Sequence, residues 1–302
     1  MILCVGEILA DMIGTLSNGS FSYERKAGGA PFNVACAAKK FGARASFVGS
    51  VGEDTIGLFL ENFASGCGLD GLYLRRDASR NTTLAFVELD ENGERFFCFY
   101  RKHTADYVLP EIPSALFSEA DIVHIGSLML GEDCGKEYAK ALALRAKNAG
   151  KLVSFDVNYR TDIFRDREEA VWAYKEILAV SDVVKFSEDE VEIFTKEYIK
   201  NELAEKLVCI SLGGEGSEWH YRGKVGRVPT VKVKPVDTTG AGDAFYAGVL
   251  SRLDGVGRED WTEELFSSAL RFGNVCGALN TLGRGAIDSL PTLAQIEEAL
   301  KK

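Results

Sequence analysis

From Asp121 onward the chain alternates between short, unbroken apolar runs and longer stretches with helical spacing. Asp121–Ile125, Lys151–Phe155, Asp182–Phe186 and Leu207–Leu212 have the length and apolarity of strands buried on both faces. Between them, Glu132–Asn148, closed by Gly150, and Asp166–Ala179 predict helices. Met1–Gly6 reads as a first strand. Val228–Val236 alternates like a strand and leads towards Ala244–Leu253, an apolar run of helical length. Strands separated by helices of this size predict βαβ units, and hence an α/β fold with a mostly parallel sheet covered on both faces.

Two regions break that rhythm. Residues about 15–25 and about 72–104 read as short β segments without intervening helices. The clearest is Thr82–Leu89, then Asp90–Glu94, then Arg95–Tyr100, with Asn92-Gly93 as a hairpin signal between the two β-rich runs. A small antiparallel sheet inserted into one α/β domain spanning residues 1–302 suggests a lid. An extra edge hairpin packed on the core would give the same pattern.

Composition narrows the partners. At 302 residues, 46% hydrophobic, with 6 prolines, the chain suits one folded domain with a small appendage. Its net charge of −10 argues against nucleic acid as a partner, so any phosphate site must be local, built from amides and a few cations. The 7 cysteines include no C-x-x-C pair, which predicts reduced core thiols in a cytoplasmic protein. His103, His124 and His220 lack metal-ligand spacing, so no structural zinc is expected. Nor is a signal peptide or a membrane span expected: Met1–Gly6 has no basic leader, and no window approaches the ~18 apolar residues of a span.

The chemistry concentrates in Asp237-Thr-Thr-Gly240-Ala241-Gly242-Asp243-Ala-Phe245. A Gly-Ala-Gly turn at a helix start leaves N–H groups unpaired with no bulky side chain before them, and the helix dipole adds positive charge there. That is a cradle for phosphate. Asp243 would repel a phosphate unless it had its own task, and the natural one is general base for a hydroxyl attacking a phosphoryl group. A plain turn with a first-turn carboxylate would look the same.

Other stretches carry weaker signals. Ala27–Gly42 is a glycine turn feeding a helix that stops at Gly42. Gly6–Asp11 closes the first strand, which would aim Asp11 from a carboxyl end into the ligand crevice. Ser187–Glu190 is a capping box. Ser211–Gly216 is a glycine cluster after a strand, and no G-x-G-x-x-G opens a helix near the first strand, so a dinucleotide fold is excluded. Arg101, leaving the lid hairpin, could reach into the crevice and donate a fork of hydrogen bonds.

The Asp237–Phe245 segment resembles the C-terminal signature of the ribokinase-type (PfkB) carbohydrate kinases, and Ala27–Gly57 resembles their N-terminal signature. The two lie in the family order, and the resemblance covers essentially the whole chain. It implies a ribokinase-like three-layer sandwich with a β lid, and phosphoryl transfer from ATP to a sugar with Mg²⁺. It also implies that Asp11, Gly28, Gly29 and Asn33 bind sugar hydroxyls, and that Ser211, Gly213, Gly216 and Asn274 serve the nucleotide. Glu190 would support Mg²⁺ through water; Ser187 departs from the family's usual Asn and stands with the nucleotide residues. Asp237, Thr239 and Ser289 would surround a monovalent cation, K⁺. Tyr100-Arg101-x-x-x-Ala-Asp106 and Asp156-x-Asn158-x-Arg160 resemble fructokinases, the latter also 2-keto-3-deoxygluconate kinases, which adds Arg101 and Arg160 to the sugar site. A ribosyl or nucleoside-like substrate, or a silent sugar- or nucleotide-binding regulator, are the alternatives. The lid is expected to form a homodimer interface through Phe86, Phe97 and Phe99, because an isolated small sheet exposes edges and an apolar face.

Overall fold

In a computed structural model, residues 1–17, 20–89, 95–160, 163–164 and 166–301 are described. The strands are β1 (Ile2–Val5), β2 (Leu9–Ser17), β3 (Ser20–Gly28), β4 (Ala45–Gly52), β5 (Gly71–Asp77), β6 (Leu84–Leu89) and β7 (Arg95–Tyr100). They continue with β8 (Ile122–Ile125), β9 (Leu152–Asp156), β10 (Val183–Ser187), β11 (Leu207–Ser211), β12 (Ser217–Tyr221) and β13 (Lys224–Val228). The helices are α1 (Ala30–Lys40), α2 (Thr55–Gly66), α3 (Ser114–Glu119), α4 (Asp133–Asn148) and α5 (Arg167–Val180). After them come α6 (Glu188–Phe194), α7 (Lys196–Glu202), α8 (Ala241–Leu253), α9 (Glu263–Asn280) and α10 (Leu293–Leu300).

Nine strands form the central sheet in the order β13-β12-β11-β10-β9-β8-β1-β4-β5, and all neighbours from β11 to β5 run parallel. Alternate residues of the inner strands feed two cores. Ile2 and Cys4 face the layer of α1, α2, α8, α9 and α10, while Leu3 and Val5 face α3 to α7. This is the sandwich the alternation predicts. Because parallel strands carry their loops to one end, the loops after β1, β8, β9, β10 and β11 all leave the same end of the sheet. Among the described residues no helix is long and apolar enough to cross a membrane, no three His, Cys, Asp or Glu side chains cluster as metal ligands, and all seven cysteines are free.

The second sheet has four strands, β3-β2-β6-β7, with β6 and β7 antiparallel. It departs from the expected bounds. Gly71–Asp77 pairs with β4 as the edge of the central sheet, so the lid does not begin at residue 72. Its first strand starts at Leu9 rather than Thr15, immediately after β1. Asp11 therefore lies on the lid, not at the end of the first core strand. The turn at Asn92-Gly93 is outside the described residues. Val228–Val236 is also corrected: β13 ends at Val228, and residues 229–236 form no strand. Pro229 and Pro235 remove the ladder donors that an alternating pattern alone does not reveal.

Candidate active site

The start of α8 is shaped by Gly240. Its φ of 73° is left-handed, and a Cβ there would stand 2.5 Å from the Cβ of Ala286. Only glycine allows this turn. The N–H groups of Gly240, Gly242 and Asp243 meet no acceptor among the described residues, as the first turn of a helix predicts. Asp243 follows in that turn and accepts a 2.8 Å bond at Oδ2 from Nδ2 of the buried Asn33. Asn33 stands on α1, which is capped by Gly29 (φ 111°), where a Cβ would lie 2.5 Å from the Glu7 carbonyl oxygen. Asp11 reaches in from the lid and lies against Gly28, where a Cβ would stand 2.2 Å from its Oδ2. Each paired glycine thus has a separate steric reason.

These groups surround one cavity of about 370 Å³, lined by Leu9, Asp11, Gly29, Asn33, Phe99, Leu128, Asn158, Arg160, Lys185, Thr239, Gly240, Gly242 and Asp243, among others. Larger hollows of about 550 and 620 Å³, at the opposite end of the sheet and beside α6 and α7, reach neither the glycine turn nor Asp243.

Charge in the cavity is balanced closely. Asp243 opens onto it, yet the surrounding protein desolvates its carboxyl and pushes the pKa up to about 6. The Asn33 bond, Lys185 and Arg160 oppose that rise and the Asp156 charge adds to it. Asp11 is raised to about 7, first by burial and then by the Asp243 charge, with Arg160 opposing.

The remaining expected residues take other places. Arg101 does not reach the crevice. It is buried, donates from Nε to Asp106 Oδ2 at 2.9 Å and from Nη1 to the Leu128 carbonyl at 2.5 Å, and stacks 3.9 Å over Tyr107. The chain turns inward after β7, and Asp106 captures the guanidinium, which then holds Leu128 in the cavity wall. Arg160 does face the cavity, with Nη1 on the Tyr159 carbonyl. Ser187 and Glu190 form the expected capping box, and Glu190 Oε1 also accepts from Tyr159 N–H at 2.7 Å, pinning the loop that carries Arg160.

Ser211, Gly213 and Gly216 sit at the end of β11, outside the cavity lining. Asn274 spends its amide nitrogen on the Val228 and Pro229 carbonyls, holding the chain after β13. Asp237 accepts from Thr239 N–H and Gly285 N–H at 2.8 and 2.9 Å. Asn280 donates to the Thr239 carbonyl and accepts from Ser289 Oγ, so these residues form one knot under the turn.

Sequence reasoning missed Glu7 and Lys185, and it quoted Asp156 within its motif without giving it a partner. Glu7 is fully buried at the carboxyl end of β1, and burial pushes it to about pKa 7. Lys185 and Asp156 pair beneath the cavity. The signal was available: a charge inside an apolar strand, as in Asp182-Val-Val-Lys-Phe186, needs a partner.

The profile of the pfkB family carbohydrate kinases matches residues 1–293. The chain belongs to that family. Among curated relatives, this kinase is 38% identical over 317 residues to probable fructokinase-6, chloroplastic, of Arabidopsis thaliana, covering 100% of this chain and 82% of that protein. A crystal structure of fructokinase from Vibrio cholerae O395, in fructose, ADP and calcium ion bound form, superposes with a TM-score of 0.89 at 33% identity, over 99% of this chain and 98% of that one. Fructokinase from Xylella fastidiosa with bound ATP gives a TM-score of 0.87 at 30% identity, over 99% and 98%. The ribokinase-like architecture of this kinase follows from its own sheets and from these likenesses.

Proposed function

We propose that this kinase transfers the γ-phosphoryl group of ATP to the 6-hydroxyl of fructose. The observation that carries the reading is the cavity shared by Asp243, the amides of its glycine turn, which meet no acceptor among the described residues, and the hydroxyl-binding set Asp11 and Asn33. Asp243 takes the proton of the attacking hydroxyl. The new O–P bond forms as the bond to the leaving ADP oxygen breaks, and the Gly240–Gly242 amides hold the charge that builds on the phosphoryl oxygens. Lid closure excludes water, which would otherwise compete as acceptor. Arg160 and Asn158 supply donors to the sugar. Ser211, Gly213 and Gly216 border the nucleotide, and the buried Asn274 fixes the chain beside them. Release of ADP from ATP on addition of fructose tests the reading, and a silent binding protein would show none.

Mg²⁺ would neutralise phosphate charge. The residues present fit an ion held mainly on phosphate oxygens, because Glu190 is the carboxylate nearest that role and both of its oxygens already accept backbone bonds. The Asp237–Thr239–Ser289 knot fits K⁺, since its carboxylate and carbonyl oxygens gather directly under the turn. Replacing potassium by tetramethylammonium is expected to lower the rate, measured as ADP release; equal rates would remove the ion from the account.

The lid is proposed as the dimer interface, with a changed residue set. Phe86 lies on the outer face against Tyr23 and Tyr100, at ring distances of 5.2 and 5.3 Å, and Tyr100 is 62% exposed. Phe99, paired with Ala85 on the neighbouring register, faces the cavity instead. Phe97's side chain lies outside the described residues. Sedimentation at micromolar concentration is expected to show a dimer; monomer alone would contradict it. The seven free thiols, four of them buried, fit a reducing compartment such as the cytoplasm.

Acidity should act on activity and stability in opposite directions. Asp243, Asp11 and Glu7 have folded pKa values of about 6, 7 and 7, above their values of 3.8, 3.8 and 4.5 when unburied. Below those ordinary values the groups are protonated in both states, and their stabilising effect is lost as pH rises through the folded values. His124, depressed to about 3 by burial, opposes the trend below its ordinary 6.5, but one group faces three. Between about pH 5.5 and 7.5, kcat/KM is expected to rise while the melting temperature falls. Parallel rate and melting profiles check this, and a melting temperature that climbs with pH would contradict it.

A further inference from the structure

Lys185 is a charge inside a strand whose other core positions are apolar. It stands directly across from Asp156 on β9 and donates from Nζ to both carboxylate oxygens, at 2.9 and 3.0 Å. Both side chains are buried, 7% and 4% exposed. Packing does not explain the pair, because apolar residues of similar size would serve the fold as well or better. One of the three ammonium N–H bonds remains without an acceptor among the described residues. The ammonium also belongs to the cavity. It shares the lining with Asp243 and Gly242, and its Nζ lies 3.6 Å from where a Cβ on Gly242 would stand. A side chain at position 242 would fill the gap between the ammonium and the open face of the turn.

We propose that Lys185 is a catalytic residue whose ammonium donates to a non-bridging oxygen of the phosphoryl group during transfer, with Asp156 holding it in place. The proposal rests on the kinase reading above. As the bond to ADP breaks and the bond to the sugar oxygen forms, negative charge spreads over the three equatorial oxygens. The α8 amides meet that charge from the helix side and Lys185 meets it from the sheet side. Its proton stays on Nζ throughout; Asp243 alone accepts the hydroxyl proton.

The rival explanation is that Lys185 only neutralises Asp156. Lys185→Met, Asp156→Asn and the double variant separate the two in the full-length chain, assayed with whichever sugar turns over fastest. The double variant keeps the charge balanced, and its melting curve reports that it folds. Both variants lacking the lysine are expected to lose about 10²–10³-fold in kcat, with KM for the sugar changed by less than about threefold. Aluminium fluoride should tighten ADP binding to the wild type and not to these variants. Recovery of the double variant to within about tenfold of the wild type, or undiminished tightening by aluminium fluoride, overturns the proposal. Since ADP and aluminium fluoride need no sugar, a wrong assignment of fructose would leave this result standing.

Discussion

Asp243→Asn is expected to lower kcat by about 10²–10⁴-fold, the usual contribution of a positioned general base. The change is nearly isosteric and keeps an acceptor oxygen for the Asn33 amide, so the start of α8 should keep its shape. The amides of the turn are untouched, and ADP affinity should stay within about threefold of the wild type if the base acts only in the chemical step. Stability should not suffer, because the substitution removes a carboxyl that burial already disfavours in its charged form. The pattern to look for is therefore a dead enzyme that melts at or above the wild-type temperature and still binds ADP. Retention of more than about a tenth of the activity would remove Asp243 from the base role.

Specificity carries the second large effect. In the proposed sugar site Asp11 would supply an acceptor, and Asn33, Asn158 and Arg160 would supply donors, around a cavity of about 370 Å³. A site built to pair hydroxyls rejects analogues that leave its polar groups unpaired, by up to roughly 10⁴-fold. Fructose should accordingly have the highest kcat/KM among fructose, ribose and 2-keto-3-deoxygluconate. The structure sharpens this contrast. With Arg101 committed to Asp106 and the Leu128 carbonyl, one of the two arginines, Arg160, lines the cavity. A carboxylate-bearing sugar then finds one fork to pair with, beside two carboxyls in Asp11 and Asp243. A tenfold or larger preference for the keto acid would replace the fructose assignment while leaving the kinase chemistry in place.

Much of this was legible in the chain because the rules involved are local. The spacing of β8 to β11 and their helices follows from apolar runs of fixed length, and the α8 turn follows from two glycines before a carboxylate. What the sequence hid depends on which segments meet. Gly71–Asp77 looks like the other short β segments, and only its pairing with β4 assigns it to the central sheet. Asp11 carries the same chemistry on a lid strand as at a core strand end, so its residue type could not place it. Arg101 was misplaced because its capture by Asp106 depends on an inward turn of the chain, near His103 with φ 53°. Lys185 and Asp156 sit 29 residues apart and become partners only through the register of β9 with β10.

Both products of one reaction mixture should appear together. Purified protein with ATP, Mg²⁺ and fructose should release ADP and form fructose 6-phosphate in equal amounts, with neither appearing when fructose is omitted. ADP release that does not depend on fructose, or no sugar phosphate from any acceptor, would contradict the claim that this cavity joins a hydroxyl to a phosphoryl group.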